Sequence, residues 1–215
     1  AVRIKGVSVA LVSIVAPGTM PAISFHDVVD AEVSGLTVRH LSGIGDGVYA
    51  RHSAVLVRRN VFEDDQVAVH AEDRAYGVSI EHNVFRSNDR AIVLTDAAGA
   101  IENNLFSAHE GTAVTVRDSG PVHIRNNIIV GAGDRGIDVR DSTVNILNNT
   151  IVYGQKGIAL DLDTEGSARI FGNIIAFNRS YALQRTLKSR TVSVFRFNDL
   201  FGNGLDVDEP ALVSS

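Results

Sequence analysis

Two carboxylates and two guanidiniums recur at equal spacing in this chain: Arg117 and Arg140 are 23 residues apart, as are Asp138 and Asp161. If successive repeats stack, these four side chains share one face. Asp138 and Asp161 would then stand roughly 8 Å apart, one rung and two residues along a strand. That is inside the rough 6.5–9.5 Å window for a carboxylate pair that inverts a glycosidic bond. Arg117 and Arg140 could instead clamp a sugar carboxylate bidentately. With calcium quenching the same carboxylate, a basic side chain could remove the neighbouring proton, as a lyase does. Two protein oxygens are few for calcium, so backbone or water would have to supply the rest. The plainer assignment is a salt-bridge ladder of Asp138, Arg140 and Asp161 on a solvated face. Tyr49, Arg51, His70, Glu72, Thr95 and Thr115 fall on the same face as candidate substrate contacts, and His70 with Glu72 is its nearest His–acid pair.

These positions follow from a repeat. Asn60, Asn83, Asn104, Asn127, Asn149, Asn173 and Asn198 recur at spacings of 23, 21, 23, 22, 24 and 25. Leu36 takes the same place one rung earlier, and Val7 is a further candidate. Between the asparagines lie segments such as Gly-Val-Tyr-Ala-Arg (47–51) and Gly-Ile-Asp-Val-Arg (136–140), which alternate with the period of a half-buried strand. A short third strand, such as Val122-His-Ile124, precedes each asparagine, and no segment has a helical period. Repeats of about 22–24 residues with three short strands predict an all-β fold, a right-handed single-stranded parallel β-helix of about 8–9 rungs. Each asparagine should bond to its equivalents above and below, and it tolerates the unusual backbone angles of a bend. His52, Asp73, Asp96, Asp118 and Asp141 follow the first strand and read as turn-makers. Val2, Ile4, Val7 and Val9 alternate as a first strand. Phe62, Phe85, Phe106 and Phe171 read as packing residues.

The 215 residues carry a net charge of −5 and no basic block, which excludes nucleic acid as a partner. There is no cysteine, hence no disulfide or thiolate metal site, and Met20, the single methionine, argues against a thioether copper site. No metal ligands are assigned. The apolar stretch Val7–Ala16 is too short to span a membrane.

Ile-x-Asn-Asn-x-Ile followed by Gly-Ile-x-Val or Gly-Ile-x-Leu, clearest at 124–139 and 146–160, resembles the parallel β-helix repeat family. That family includes periplasmic NosD-like proteins, pectate lyase-like folds, polygalacturonases and mannuronan epimerases. The resemblance runs from about residue 31 to 205. It implies a secreted, periplasmic or cell-surface protein whose chemistry, if any, lies on the outer face of the Gly-Ile-x-Val sheet. The polygalacturonase motifs and the Asp-Pro-His-Glu signature of the epimerases are absent, and Asp64-Asp65 lies in a loop.

The chain begins mid-pattern and shows no amphipathic capping helix, so residues 1–215 are expected to be one β-helix domain of a longer protein, or one whose ends a partner covers. Three function classes stay open. The first is a module binding an extended polysaccharide, the second an enzyme acting on one (lyase, glycoside hydrolase or epimerase), and the third a surface scaffold.

Overall fold

Alternating Val and Ile around each asparagine must bury one side of every strand, and a parallel coil does so by stacking like on like. The computed structural model describes residues 1–10, 12–163, 166–187 and 192–208. They form three parallel sheets along one rod. The first sheet contains Ile23–His26, Asp46–Arg51, Val114–Arg117, Arg135–Arg140, Lys156–Leu162, Tyr181–Leu187 and Leu205–Asp208. The second contains Val2–Lys5, Ala31–Ser34, Val55–Arg58, Val122–Arg125, Thr143–Leu147, Ser167–Phe171 and Val192–Arg196. The third has nine strands, from Ser13–Ala16 to Asp199–Phe201. No described residue is helical, so no helix is long and apolar enough to cross a membrane.

Columns of one side-chain type fill the rod. Val48, Val69, Ile92, Val114, Ile137 and Ile158 line the inside of the first sheet at 0% exposure. Val57, Ile80, Ile101, Ile124 and Ile146 line the second, and Phe62, Phe85 and Phe106 belong to the third. The three rings stack at 5.2 and 4.9 Å between centroids, within 10° of parallel. Phe171 departs from the packing expectation: it is half-buried, edge-on to the exposed Phe197.

The asparagine ladder is continuous. Each amide nitrogen donates to the next asparagine's Oδ1, from Asn60 to Asn83 (3.1 Å) through Asn173 to Asn198 (2.8 Å). The same Oδ1 accepts a backbone N–H, and Nδ2 also reaches a second-sheet carbonyl such as Ile101 O. Leu36 holds the corresponding place, its N–H donating to Asn60 Oδ1 at 3.1 Å. The left-handed backbone falls one residue before the anchor, at Arg59, His82, Asn103, Asn126 and Asn148 (φ 55 to 57°). The anchors' value is therefore their side-chain bonding rather than their tolerance of strained angles. At the first bend His52, Asp73, Asp96, Asp118 and Asp141 all have φ between 43 and 54°, as turn-makers should.

Other details differ from expectation. Val67–Glu81 and Arg90–Glu102 each run unbroken through the first and second sheets, so not every rung has three separate strands. The first strand ends at Lys5; Val7 is 88% exposed and lies outside any strand.

A second, partial ladder occupies the third bend. Asn88 Oδ1 accepts from Asp65 N (2.9 Å), and Asn178 donates to Asn203 (3.0 Å). Asp65 lies between strands as expected, yet its side chain is fully buried against His40 Nδ1 at 2.6 Å. Burial pushes its carboxyl up to about 7. His109 takes the ladder position between Asn88 and Asn178. It is 3% exposed, its Nε2 has no partner, and burial lowers its pKa to about 4. The unfolded chain therefore takes up a proton below about pH 6.5 that the fold refuses until about pH 4, so the His109 contribution to stability falls by about 3 kcal/mol as pH drops through that window, while the raised Asp65 carboxyl acts in the opposite direction. His109→Asn restores the ladder residue and should gain stability relative to the parent as pH drops from about 7 to about 4.5. Urea melts of both proteins at about pH 7 and about pH 4.5 check it, and the same stability difference between parent and variant at both pH values would refute the assignment.

Candidate functional site

The outer face of the first sheet is set by register. One column runs Tyr49, His70, Val93, Thr115, Asp138, Ala159, Gln184. The next runs His26, Arg51, Glu72, Thr95, Arg117, Arg140, Asp161, Thr186. All ten sequence-assigned residues therefore lie in two adjacent columns, with neighbours about 4.8 Å apart.

The floor of this face is covered. Val93, Thr115, Asp138 and Ala159 are 2 to 6% exposed. At Asp138 the cover consists of arginines: Oδ1 lies 3.6 Å from Arg135 Nε and Oδ2 lies 3.4 Å from Arg140 Nε. Both contacts are long for charge-assisted hydrogen bonds. Asp161 is exposed and has no cation within 4 Å among the described residues, so the expected ladder reaches only from Asp138 to Arg140. A cavity of about 150 Å³ opens here between Arg135, Asp138, Arg140, Asp161, Gln184 and Thr186. One rung away stands Arg117, half-buried, with Nε shielded from solvent and unbonded. No carboxylate lies within 4 Å of its guanidinium among the described residues.

A second group gathers two to three rungs toward the N-terminus. His70 Nδ1 meets Asp46 Oδ2 at 2.9 Å, and Nε2 lies 3.4 Å from Glu72 Oε2. The Tyr49 hydroxyl donates to Glu72 Oε1 at 2.5 Å. Burial, then Glu72, pushes that hydroxyl up to about 12, so it stays protonated. His26 packs against the Tyr49 ring at 5.5 Å. Arg51 is engaged by Asp73, with Nε at 2.9 Å and Nη2 at 2.7 Å. Thr95 and Thr115 lie between the two groups and bring no charge.

Asp46 and Arg135 escaped the alternation rule for a physical reason. Gly47 and Gly136 pack inward at the corner, where a Cβ would meet Phe62 at 3.0 Å or Ile151 at 2.5 Å. Val48 and Ile137 then face inward as well. Two inward residues in succession shift the parity, so the residue before the glycine turns outward. The signal was the recurring charge before Gly: Asp46, Arg135 and Lys156. Lys156 Nζ donates to Gln184 Oε1 at 3.1 Å beside the cavity.

Residues 14–207 match the family described as periplasmic copper-binding protein (NosD). The chain belongs to that family. Its periplasmic description agrees with the expected extracytoplasmic location. Among solved structures, a double mutant of the periplasmic alginate epimerase AlgG is 16% identical, with a TM-score of 0.63 over 80% of this chain and 50% of that one. The A-module of the Azotobacter vinelandii mannuronan C-5 epimerase AlgE4 is 12% identical, with a TM-score of 0.61 over 99% of this chain and 83% of that one. The NosD-family chain thus spans about half of AlgG, and at these identities the likeness is one of fold. No curated protein sequence matches it.

The donors present do not fit a copper site. Among the described residues no three of His, Cys, Asp and Glu converge. His70 and His52 each face two carboxylates from opposite ring nitrogens, which cannot meet on one ion. His40 is held by Asp65 and the Met20 carbonyl, and Met20 itself is 76% exposed.

Proposed function

We propose that the outer face of the first sheet binds an extended acidic polysaccharide, with sugar carboxylates received by Arg117 and Arg140. The observation that carries this reading is Arg117, a half-buried guanidinium without an ion partner among the described residues, one rung from Arg140, whose contact to Asp138 is long. A partly desolvated, unquenched cation on a chain of net charge −5 calls for an anionic ligand. Asp138 is too covered to reach a glycosidic bond, and its role is to orient Arg135 and Arg140. The likeness in fold to two polyuronate epimerases supports the substrate class. Affinity measurements with a polysaccharide panel test it. Polyuronates should bind and neutral glucans should not; equal affinity for both, or none for either, sinks the reading.

A second reading is enzymatic, favoured by the chain of contacts Asp46–His70–Glu72–Tyr49. Such a relay suits removal or return of the proton beside a uronate carboxylate. Incubation with a polyuronate in heavy water should then give unsaturated ends or deuterium at that carbon, and Tyr49→Phe should abolish either signal. Unlabelled, intact polymer would leave binding alone.

A further inference from the structure

The outer face of the second sheet carries a cluster that plays no part in the polysaccharide reading. Register places Arg3 beside Glu32, and Lys5 beside Ser34 and Arg58, over three successive rungs. Glu32 is 4% exposed and is the hub. It accepts from Lys5 Nζ at 2.8 Å, from Arg58 Nη2 and Nε at 2.9 and 3.0 Å and from Ser34 Oγ at 3.2 Å, and it lies 3.2 Å from Arg3 Nε. Arg3 also forms a two-bond pair with Asp30, at 2.8 and 2.9 Å. Hydrogen bonds from Lys5 and then Arg58 hold the Glu32 carboxyl down at about 2 despite its burial. Arg59 has no carboxylate within 4 Å among the described residues.

A cavity opens at this cluster as well. Two residues, Arg59 and Asn60, link Val55–Arg58 to Val61–Glu63, whereas residues 6–12 link Val2–Lys5 to Ser13–Ala16. The longer segment is tied down where it leaves and returns: Thr37 Oγ1 donates to Val9 O at 2.7 Å, Thr37 N to Val12 O at 2.9 Å, and Val12 N to Ser8 O at 3.1 Å. Beneath it about 470 Å³ opens, lined by Lys5, Ser8, Glu32, Ser34, Arg58 and Arg59.

We propose that this cavity binds a phosphate monoester. Three lining cations against one carboxylate leave a local charge of two positive, in a chain that is negative overall. A phosphate monoester carries close to two negative charges at neutral pH and presents three acceptor oxygens. Glu32 positions Lys5 and Arg58 without exhausting them, because an ammonium has three donors and a guanidinium five. Ser8 and Ser34 add hydroxyls. The volume exceeds what a bare phosphate fills, which leaves room for the group that bears it.

Calorimetric titration with glucose 1-phosphate and with inorganic phosphate tests the site on the whole chain, with sodium acetate as the carboxylate control. The proposal expects one saturable site, tighter for the ester than for inorganic phosphate and much weaker for acetate. Arg59→Ala and Lys5→Ala should each weaken phosphate binding about tenfold, the loss of one charge-assisted contact. Arg59 makes no ion pair among the described residues, so its variant should melt like the parent. Arg140→Ala, on the other sheet, should leave phosphate binding unchanged. Absence of saturable binding by both phosphate probes overturns the proposal. So does binding that ignores Arg59 and Lys5, or that weakens equally in Arg140→Ala.

Discussion

Asn127→Ala should destabilise the rod by about 3–5 kcal/mol, read as a fall in the urea midpoint. Asn127 is 1% exposed, and its side chain serves four groups. Nδ2 donates to Ile101 O at 2.9 Å and to Asn149 Oδ1 at 3.0 Å, while Oδ1 accepts from Asn104 N at 3.0 Å and Asn104 Nδ2 at 3.1 Å. Alanine leaves these groups buried and short of partners, and each such loss costs about 1–3 kcal/mol. Removal of asparagine near the ladder's end should cost less. Asn198 has only part-buried or exposed bonds, so Asn198→Ala should fall nearer about 1–2 kcal/mol, at roughly the cost of one hydrogen bond. A solenoid is held by nearest-neighbour contacts, so the central variant can also split unfolding into two transitions. Equal, small losses at both sites would show that the columns of Val, Ile and Phe hold the rod without the ladder.

Arg117→Ala should lower affinity for a polyuronate at least tenfold with melting temperature nearly unchanged, and Arg140→Ala by a similar factor with a lower melting temperature, because it uncovers the buried Asp138 carboxylate. Charge-assisted hydrogen bonds contribute about 1.5–3 kcal/mol each, and Arg117 gives up no ion pair on removal. Lysine at either place should restore only part of the affinity, because a point charge does not reproduce a two-pronged guanidinium. Added salt should weaken binding by the parent more than by the variants, since screening acts on the charges that are left. Affinity unchanged in both variants would move the ligand away from this face.

Fold was more legible than site because a solenoid repeats its reasons. Asn60 through Asn198 mark each rung from the third onward, and Val48, Val69 and Ile92 mark the inward side, so both outer columns could be written down from period two alone. Parity failed at the corner, where Gly47 and Val48 are buried in succession, and Asp46 and Arg135 were lost with it. Long side chains are a further limit. Asp138 faces outward by register, yet arginines from the same rung fold over it, and no spacing rule foretells a rotamer. The strands at Val67–Glu81 and Arg90–Glu102 stay continuous because their first bend keeps hydrogen-bonding across rungs, a property of register between the two strands rather than of either segment. His109 could have been noticed as the odd member between Asn88 and Asn178, but that ladder is interrupted by Ala132 and Gly154 and so lacks a steady signature.

Hydrogen exchange of the chain with and without a polyuronate tests the central claim most directly. Binding along the first sheet's outer face predicts slowed exchange in residues 113–117, 135–140 and 156–162, with the third-sheet strands Leu105–Ser107 and Ile128–Val130 unaffected. Protection confined to the third sheet, or none at saturating polymer, would contradict it.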